Sequence, residues 1–181
     1  MVYLSGELKN FFSDSDPYKV LKELNGNVYR EVKNRKTLQF EYNGKSYFAK
    51  IHTGVGWIEI FKNLIQLKSP VLGAKNEWSA LKLLRSTSIK TMTAVAYGEK
   101  GWNPAKRQSF IITEDLQQTI SLEDYCLNWL GSKPQFTERK ALISKGAEIT
   151  SALHASGICH RDLYLCHFLL HKEESKFPQI S

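Results

Sequence analysis

Long apolar runs are missing from this 181-residue chain. Nowhere do about twenty hydrophobic residues follow one another, the length a membrane-spanning helix requires. Residues 1–10 mix acid and base and lack the apolar centre of an export signal, so a soluble, cytoplasmic chain is expected. Cysteine is scarce: Cys126, Cys159 and Cys166 cannot all pair, and three suit a reducing compartment better than a disulfide framework. Repeats, Gly/Ser tracts and Gln/Asn tracts are absent, and with 42% hydrophobic and 24% charged residues a folded core is expected instead of extended disorder. No run of five basic residues occurs either. The net charge of +7 comes from 25 Lys and Arg interleaved with 18 Asp and Glu. It favours an anionic partner, whether nucleic acid, an acidic membrane surface or a phosphorylated small molecule, but the interleaving makes a dedicated nucleic-acid arm the weaker reading.

The periodicity divides the chain near residue 116. Asp16 and Pro17 read as N-cap and first helical position, with Gly26 ending a short helix. Alternating segments over 27–32, 37–42 and 45–51 predict three antiparallel strands, the last two joined at Asn43-Gly44. Residues 56–67 have a helical pattern with a broad apolar face. Packing on the sheet is the favoured reading, and contact with a membrane surface, aided by Lys62 and Lys68, is the other. A helix over 76–85 puts Glu77, Ala80, Leu81 and Leu84 on one face, where a carboxylate needs a partner. Strands over 95–97 and 109–113 follow, with a turn around Gly98, Gly101 and Pro104. Beyond 116, Ser121 and Asp124 resemble a capping box opening a helix to Leu130. Thr137 is read as the cap of a longer helix to about Ser156, and Gly157 as its left-handed C-terminal cap, before a loop and a strand over 168–170. The expected domains are an N-terminal helical extension (1–25), a mostly β lobe (26–116) with a helical insertion near 56–67, and a partial helical lobe (117–181).

The chemistry-bearing residues lie far apart in the chain. His160-Arg161-Asp162, after a capped helix and before an apolar strand, resembles the protein-kinase catalytic loop, in which a carboxylate positions the attacking hydroxyl and takes its proton. A loop aspartate bonded to its own backbone is the bland alternative. Against it stand Tyr47-Phe48-Ala49-Lys50 on the third strand, where a phosphate-contacting lysine belongs, and Glu77 on the following helix, where that lysine's partner belongs. The turn Lys33-Asn34-Arg35-Lys36 carries no glycine, unlike a protein kinase, and its cations are read as replacing backbone amides in holding phosphate. Thr113-Glu114-Asp115-Leu116 occupies the hinge, where Glu114 and Leu116 would offer backbone groups to adenine. Cys159-His160 and Cys166-His167 have the wrong spacing for structural zinc. His167 stands where protein kinases place a magnesium-binding asparagine; magnesium prefers oxygen, so a bond to phosphate or to the loop is the better reading, with metal ligation the weaker one.

Taken together with Pro70-Val71-Leu72-Gly73-Ala74, Asn76-Glu77-Trp78, Gly98-Glu99-Lys100-Gly101 and the segment 160–171, these residues make the chain resemble the lipopolysaccharide core heptose kinase family from about Gly26 onward. The resemblance implies an α+β, protein-kinase-like fold with an antiparallel β lobe followed by an incomplete helical lobe. It also implies ATP with Mg2+ as cofactors, phosphorylation of a heptose hydroxyl on the lipopolysaccharide core glycolipid, no nucleic-acid partner, and peripheral contact with the cytoplasmic face of an inner membrane. Lys50 would hold nucleotide phosphates, Glu77 would orient it, and Asp162 would act on the sugar hydroxyl.

In this family's pattern a metal-binding aspartate follows the catalytic loop, and Pro178-Gln179-Ile180-Ser181 reads as a strand cut short before it. Weak transfer and an unstable second lobe are therefore expected, with apolar surface exposed around Leu142, Ile149 and Leu153. The rival readings are an octulosonic acid kinase, a protein kinase, a catalytically degenerate kinase-like binding module, and a membrane or nucleic-acid adaptor. The last leaves Lys50, Glu77 and Asp162 unexplained.

Overall fold

Six strands between residues 2 and 114 form an antiparallel sheet whose inner strands are buried on both faces and whose edge over 27–32 is exposed. In the computed structural model the described residues are 1–13, 15–66, 73–127, 129, 131, 133–160 and 162–171. The strands are β1 (Val2–Leu4), β2 (Asn27–Val32), β3 (Arg35–Tyr42), β4 (Lys45–His52), β5 (Ala94–Lys100) and β6 (Gln108–Glu114), in the order β1-β5-β6-β4-β3-β2. The turn between β3 and β4 places Asn43 and Gly44 at positive φ, 50° and 73°, as a tight hairpin requires. The chain divides into two compact units, Met1–Lys82 with Met92–Asp115, and Leu83–Thr91 with Leu116–Ser181.

In the first unit, one sheet face is closed by α1 (Leu8–Phe12) and α2 (Pro17–Glu23). Leu8, Phe12 and Leu21 join Leu38, Phe40, Tyr47, Ala49 and Phe110 in one core. Residues 1–25 are therefore more than a helical extension: they supply an edge strand, with Val2 to Leu4 paired to β5, and Leu8, Phe12 and Leu21 of the core. Asp16 does cap α2, accepting from the Tyr18 amide at 3.0 Å. Gly26 does not end this helix, because Leu24 is already extended. Gly98 is not a turn residue but lies within β5, where a Cβ would come 2.3 Å from the Phe110 ring; only glycine lets that ring reach the core.

The opposite sheet face takes α4 (Lys75–Leu84), which covers β5 and β6 through Ala74, Leu81, Tyr97 and Ile111, with Trp78 stacked on Tyr97 at 5.2 Å. Helix α3 (Trp57–Ile65) breaks the packing expectation. Only Ile60 is buried, while Trp57, Ile58, Phe61, Leu64 and Ile65 are exposed. Among the described residues no helix is long and apolar enough to cross a membrane.

The second unit is built on α5 (Leu122–Leu127), α6 (Phe136–Ala155) and a two-stranded ribbon of β7 (Thr119–Ser121) with β8 (Leu169–His171). Ser121 Oγ accepts from the Asp124 amide at 3.0 Å and donates to its carboxylate at 2.6 Å, which opens α5. Thr137 does not cap α6: the helix begins at Phe136, so Thr137 lies inside its first turn, and Gln135 stands at the cap position without a side-chain bond. Gly157, at φ 76°, ends α6, its amide donating to the His154 carbonyl and that of Ile158 to the Leu153 carbonyl. The expected exposure of Leu142, Ile149 and Leu153 is not found: Leu142 and Leu153 are buried and Ile149 packs against the core of Leu122, Leu142, Phe168 and Leu170. Exposed apolar side chains among the described residues of this unit include Phe136, Ile143, Leu127 and Leu165 instead.

Candidate functional site: a lysine–glutamate pair on the sheet and a carboxylate loop

Residues directly opposite each other on antiparallel strands share a face. The register pairs Thr37 with Lys50 and Lys50 with Ile111, so Lys50 stands on the α4 side of the sheet. Its Nζ donates to Glu77 Oε1 at 2.5 Å, and both side chains are about a quarter exposed (25% and 29%). Glu77 sits in the first turn of α4, where the helix dipole favours a carboxylate. This is the partner that an acid on an apolar face needs. The pair is reachable from solvent, so it can both hold its geometry and meet an anionic ligand.

The same register identifies the rest of that face. Arg35 opposes His52, Thr37 opposes Lys50 and Gln39 opposes Phe48, so all six share it, while Lys36 opposes Ile51 on the other side with Leu38 and Ala49. The register separates the cations of the basic turn. Lys33 is an exposed turn residue, Arg35 lies on the Lys50 face, and Lys36 does not. The physical reason is the two-residue period: strand β3 begins at Arg35, so neighbouring cations point to opposite sides. His52 is buried, and burial together with the Arg35 charge lowers its pKa to about 4, so near neutral pH it adds no charge beside Lys50.

Sequence reading missed three side chains of this face. Tyr29, at the β2 bulge, packs edge-on against Phe48 at 5.2 Å, and its hydroxyl donates to Gln39 Oε1 at 3.2 Å. Gln39 Nε2 in turn donates to Asp115 Oδ2 at 2.8 Å and to Ser46 Oγ at 3.0 Å. The signal was available: Phe48 lies two residues before Lys50, and Gln39 lies across from it. The hinge segment is anchored by its own backbone, the Glu114 amide donating to the Thr93 carbonyl and the Asp115 amide to the Ser46 carbonyl. The Glu114 side chain belongs with Tyr47 to the other face, where both line a small cavity of about 140 Å³ with Glu7 and Lys45. Leu116 opens the second unit, its carbonyl accepting from Thr119 Oγ1 at 2.8 Å.

Within the second unit, the reversal at Gly157 delivers the chain into the loop of His160 and Asp162, and β8 takes it away. Asp162 is exposed, and its carbonyl accepts from the Tyr164 amide at 3.0 Å. The His160 and His167 rings lie 4.9 Å apart, and the His167 amide donates to the Tyr164 carbonyl at 3.0 Å, so His167 braces the loop. Arg161 and 178–181 lie outside the described residues. Magnesium takes oxygen donors, and among the described residues no group of three or more His, Cys, Asp or Glu could hold a metal ion. The described residues therefore do not by themselves compose a magnesium site, and His167 offers it only nitrogen.

Comparison with known proteins agrees with this layout. The chain is 50% identical over 171 residues to lipopolysaccharide core heptose(I) kinase WaaP of Escherichia coli, covering 94% of this chain and 64% of that protein. It is 44% identical, with the same coverage, to the WaaP of Pseudomonas aeruginosa. The chain thus spans just under two thirds of the length of these relatives. Among solved structures, WaaP in complex with acyl carrier protein superposes with a TM-score of 0.84 at 36% identity, covering 100% of this chain and 69% of that one. The kinase domain of maize SIRK1, bound to AMP-PNP, matches with a TM-score of 0.53 at 12% identity over 99% of this chain and 56% of that one, a likeness of fold alone. The fold is α+β and protein-kinase-like. The description "Lipopolysaccharide kinase (Kdo/WaaP) family" matches residues 19–180, and the chain belongs to that family.

Proposed function

We propose that this chain carries the nucleotide-holding sheet and the catalytic loop of an ATP-dependent kinase that phosphorylates a hydroxyl of the first heptose of the lipopolysaccharide inner core. The observation that carries the reading is the Lys50–Glu77 pair at 2.5 Å, on the strand and helix where phosphoryl transfer needs it, in a chain of this family. Lys50 binds the nucleotide phosphates, and Glu77 fixes the direction of its amine. Phe48 and Tyr29 offer apolar surface for the base, and Gln39 braces Asp115 at the hinge. Asp162 orients the sugar hydroxyl and accepts its proton as the new P–O bond forms and the bond to the departing ADP oxygen breaks. Mg2+ would arrive with the nucleotide phosphates and neutralise their charge. The enzyme works at the cytoplasmic face of the inner membrane, where its glycolipid acceptor is anchored. By likeness to the WaaP complex, an acyl carrier protein is proposed as a further partner.

The test is phosphate transfer to core glycolipid by a chain extended to the length of its relatives. Asp162→Asn lowers kcat by about 10²–10⁴-fold with nucleotide affinity unchanged, whereas Lys50→Met weakens both nucleotide binding and transfer. Transfer by Asp162→Asn at the parental rate would end the assignment. The second reading, an octulosonic acid kinase, is favoured by the family description, which names Kdo beside WaaP. Acceptors lacking one sugar or the other separate the two.

A further inference from the structure

Helix α3 presents an apolar ridge that the fold leaves uncovered. At about 100° per residue, Leu64, Trp57, Phe61, Ile65 and Ile58 occupy one continuous arc of about 120°. Their exposures run from 49% at Trp57 to 87% at Ile58. Ile60 borders the arc on one side and is the only residue of the helix seated in the protein. Lys62 borders it on the other side and is exposed, while Glu59 and Asn63 lie farther round. Trp57 and Phe61 pack ring to ring at 6.0 Å, so the aromatic part of the ridge is already ordered.

The ridge does not stand alone. The Gly56 amide, at the helix start, donates to the Ala105 carbonyl at 2.9 Å. That bond fixes α3 to the turn carrying Trp102, which is 90% exposed, and Lys106, which is also exposed. Tryptophan and aliphatic side chains on one short helix, flanked by Lys62 on the helix and Lys106 on the adjoining turn, are what a membrane–water interface selects: the apolar arc enters the acyl boundary while the amines reach the headgroups. A net charge of +7 adds long-range attraction to anionic lipid.

We propose that α3 is the element by which this chain docks on an anionic bilayer surface, with Trp57, Ile58, Phe61 and Ile65 inserted and Lys62 at the headgroups. This deepens the proposed placement at the inner membrane by naming the surface that meets the lipid. Because α3 begins seven residues after Lys50, docking would also hold the nucleotide-binding sheet close to the bilayer.

The test is sedimentation of the chain with vesicles of phosphatidylethanolamine and phosphatidylglycerol, against vesicles of phosphatidylcholine. The chain binds the anionic vesicles, and Ile58→Gln/Phe61→Gln/Ile65→Gln weakens binding by at least about tenfold. Lys62→Ala weakens it by about fivefold on anionic vesicles only. The single change Ile58→Gln, at the most exposed position, gives an intermediate loss and guards against misfolding of the triple variant, whose circular dichroism and melting should match the parent. No vesicle binding by the parent chain overturns the proposal, as does equal binding by parent and triple variant. Capture of acyl carrier protein that the triple variant loses, without vesicle binding, overturns it in favour of a protein occupant. Nucleotide binding, followed separately, reads the kinase proposal: its loss with vesicle binding intact would count against that reading and leave this one standing.

Discussion

In the first unit, Leu8, Phe12, Leu21, Leu38, Ala49, Phe110 and Ile112 are all at most 1% exposed and form a core knitted by aromatic contacts, such as Phe11 on Phe40 at 5.3 Å and Tyr18 on Phe110 at 5.2 Å. Among the described residues of the second unit the core cluster is smaller, Leu122, Leu142, Phe168 and Leu170 with partly buried neighbours. The contrast teaches where rigidity is invested. The Lys50–Glu77 pair is mounted on a deep core and a six-stranded sheet, whereas the Asp162 loop is held by a helix end, a three-residue strand and a pair of imidazoles tilted against each other. On the proposed function, the firmer support goes to the lysine that would hold phosphate, where a misplacement of about 1 Å is costly.

The largest expected effect tests that difference in packing. Phe110→Ala should lower stability by about 4 kcal/mol, and Leu142→Ala, in the smaller core, by about 3 kcal/mol. Urea denaturation midpoints measure both, and the reverse order would break the comparison.

Next comes pH. The folded pKa of His52, about 4, lies below its ordinary value of 6.5, so above pH 6.5 neither folded nor unfolded chain carries the proton and the fold keeps its full stability. As pH falls from 6.5 towards 4 the unfolded chain takes up a proton that the folded one refuses, and up to about 3 kcal/mol is lost. Denaturation of parent and His52→Gln at pH 7.5 and 4.5 isolates this contribution, because other groups titrate alike in both. An identical loss in the variant would show that His52 is not its source.

The smallest effect sharpens the assignment of the basic turn. Arg35→Ala should weaken nucleotide binding by about tenfold, and Lys36→Ala by no more than about twofold, because only Arg35 shares the face of Lys50. Calorimetric titration with ATP measures both. Equal losses would mean that sheet face does not decide which cation meets phosphate.

Much of this was legible in the chain because the responsible forces are local. The segments read as strands over 27–32 and 45–51 match β2 in its bounds and β4 to within one residue, β4 through burial of its side chains and β2 as an exposed edge strand. Gly157 announced its cap because few other residues tolerate that φ. Glu77 on an apolar face announced a partner because an unpaired buried carboxylate is costly. What was not legible came from distant contacts. β1 is too short and too exposed to signal itself, and exists because β5 offers an unpaired edge. Gly98 looked like a turn and is a strand residue because a ring from β6 needs its space. Thr137 looked like a cap, but α6 begins one residue earlier, so its hydroxyl lies inside the first turn.

From the sequence alone came the order of elements, the chemical identity of Lys50, Glu77 and Asp162, and the likeness to a kinase family, since these depend on residue type and spacing. Tertiary structure alone decided which cation of the 33–36 turn shares the lysine's face, that Gln39 ties strand β3 to Asp115, and that the apolar side chains of α3 stay uncovered. Each of these depends on register and packing between segments tens of residues apart. Propensity and periodicity act within a few residues, so they carry no information about which distant surface comes to lie against another.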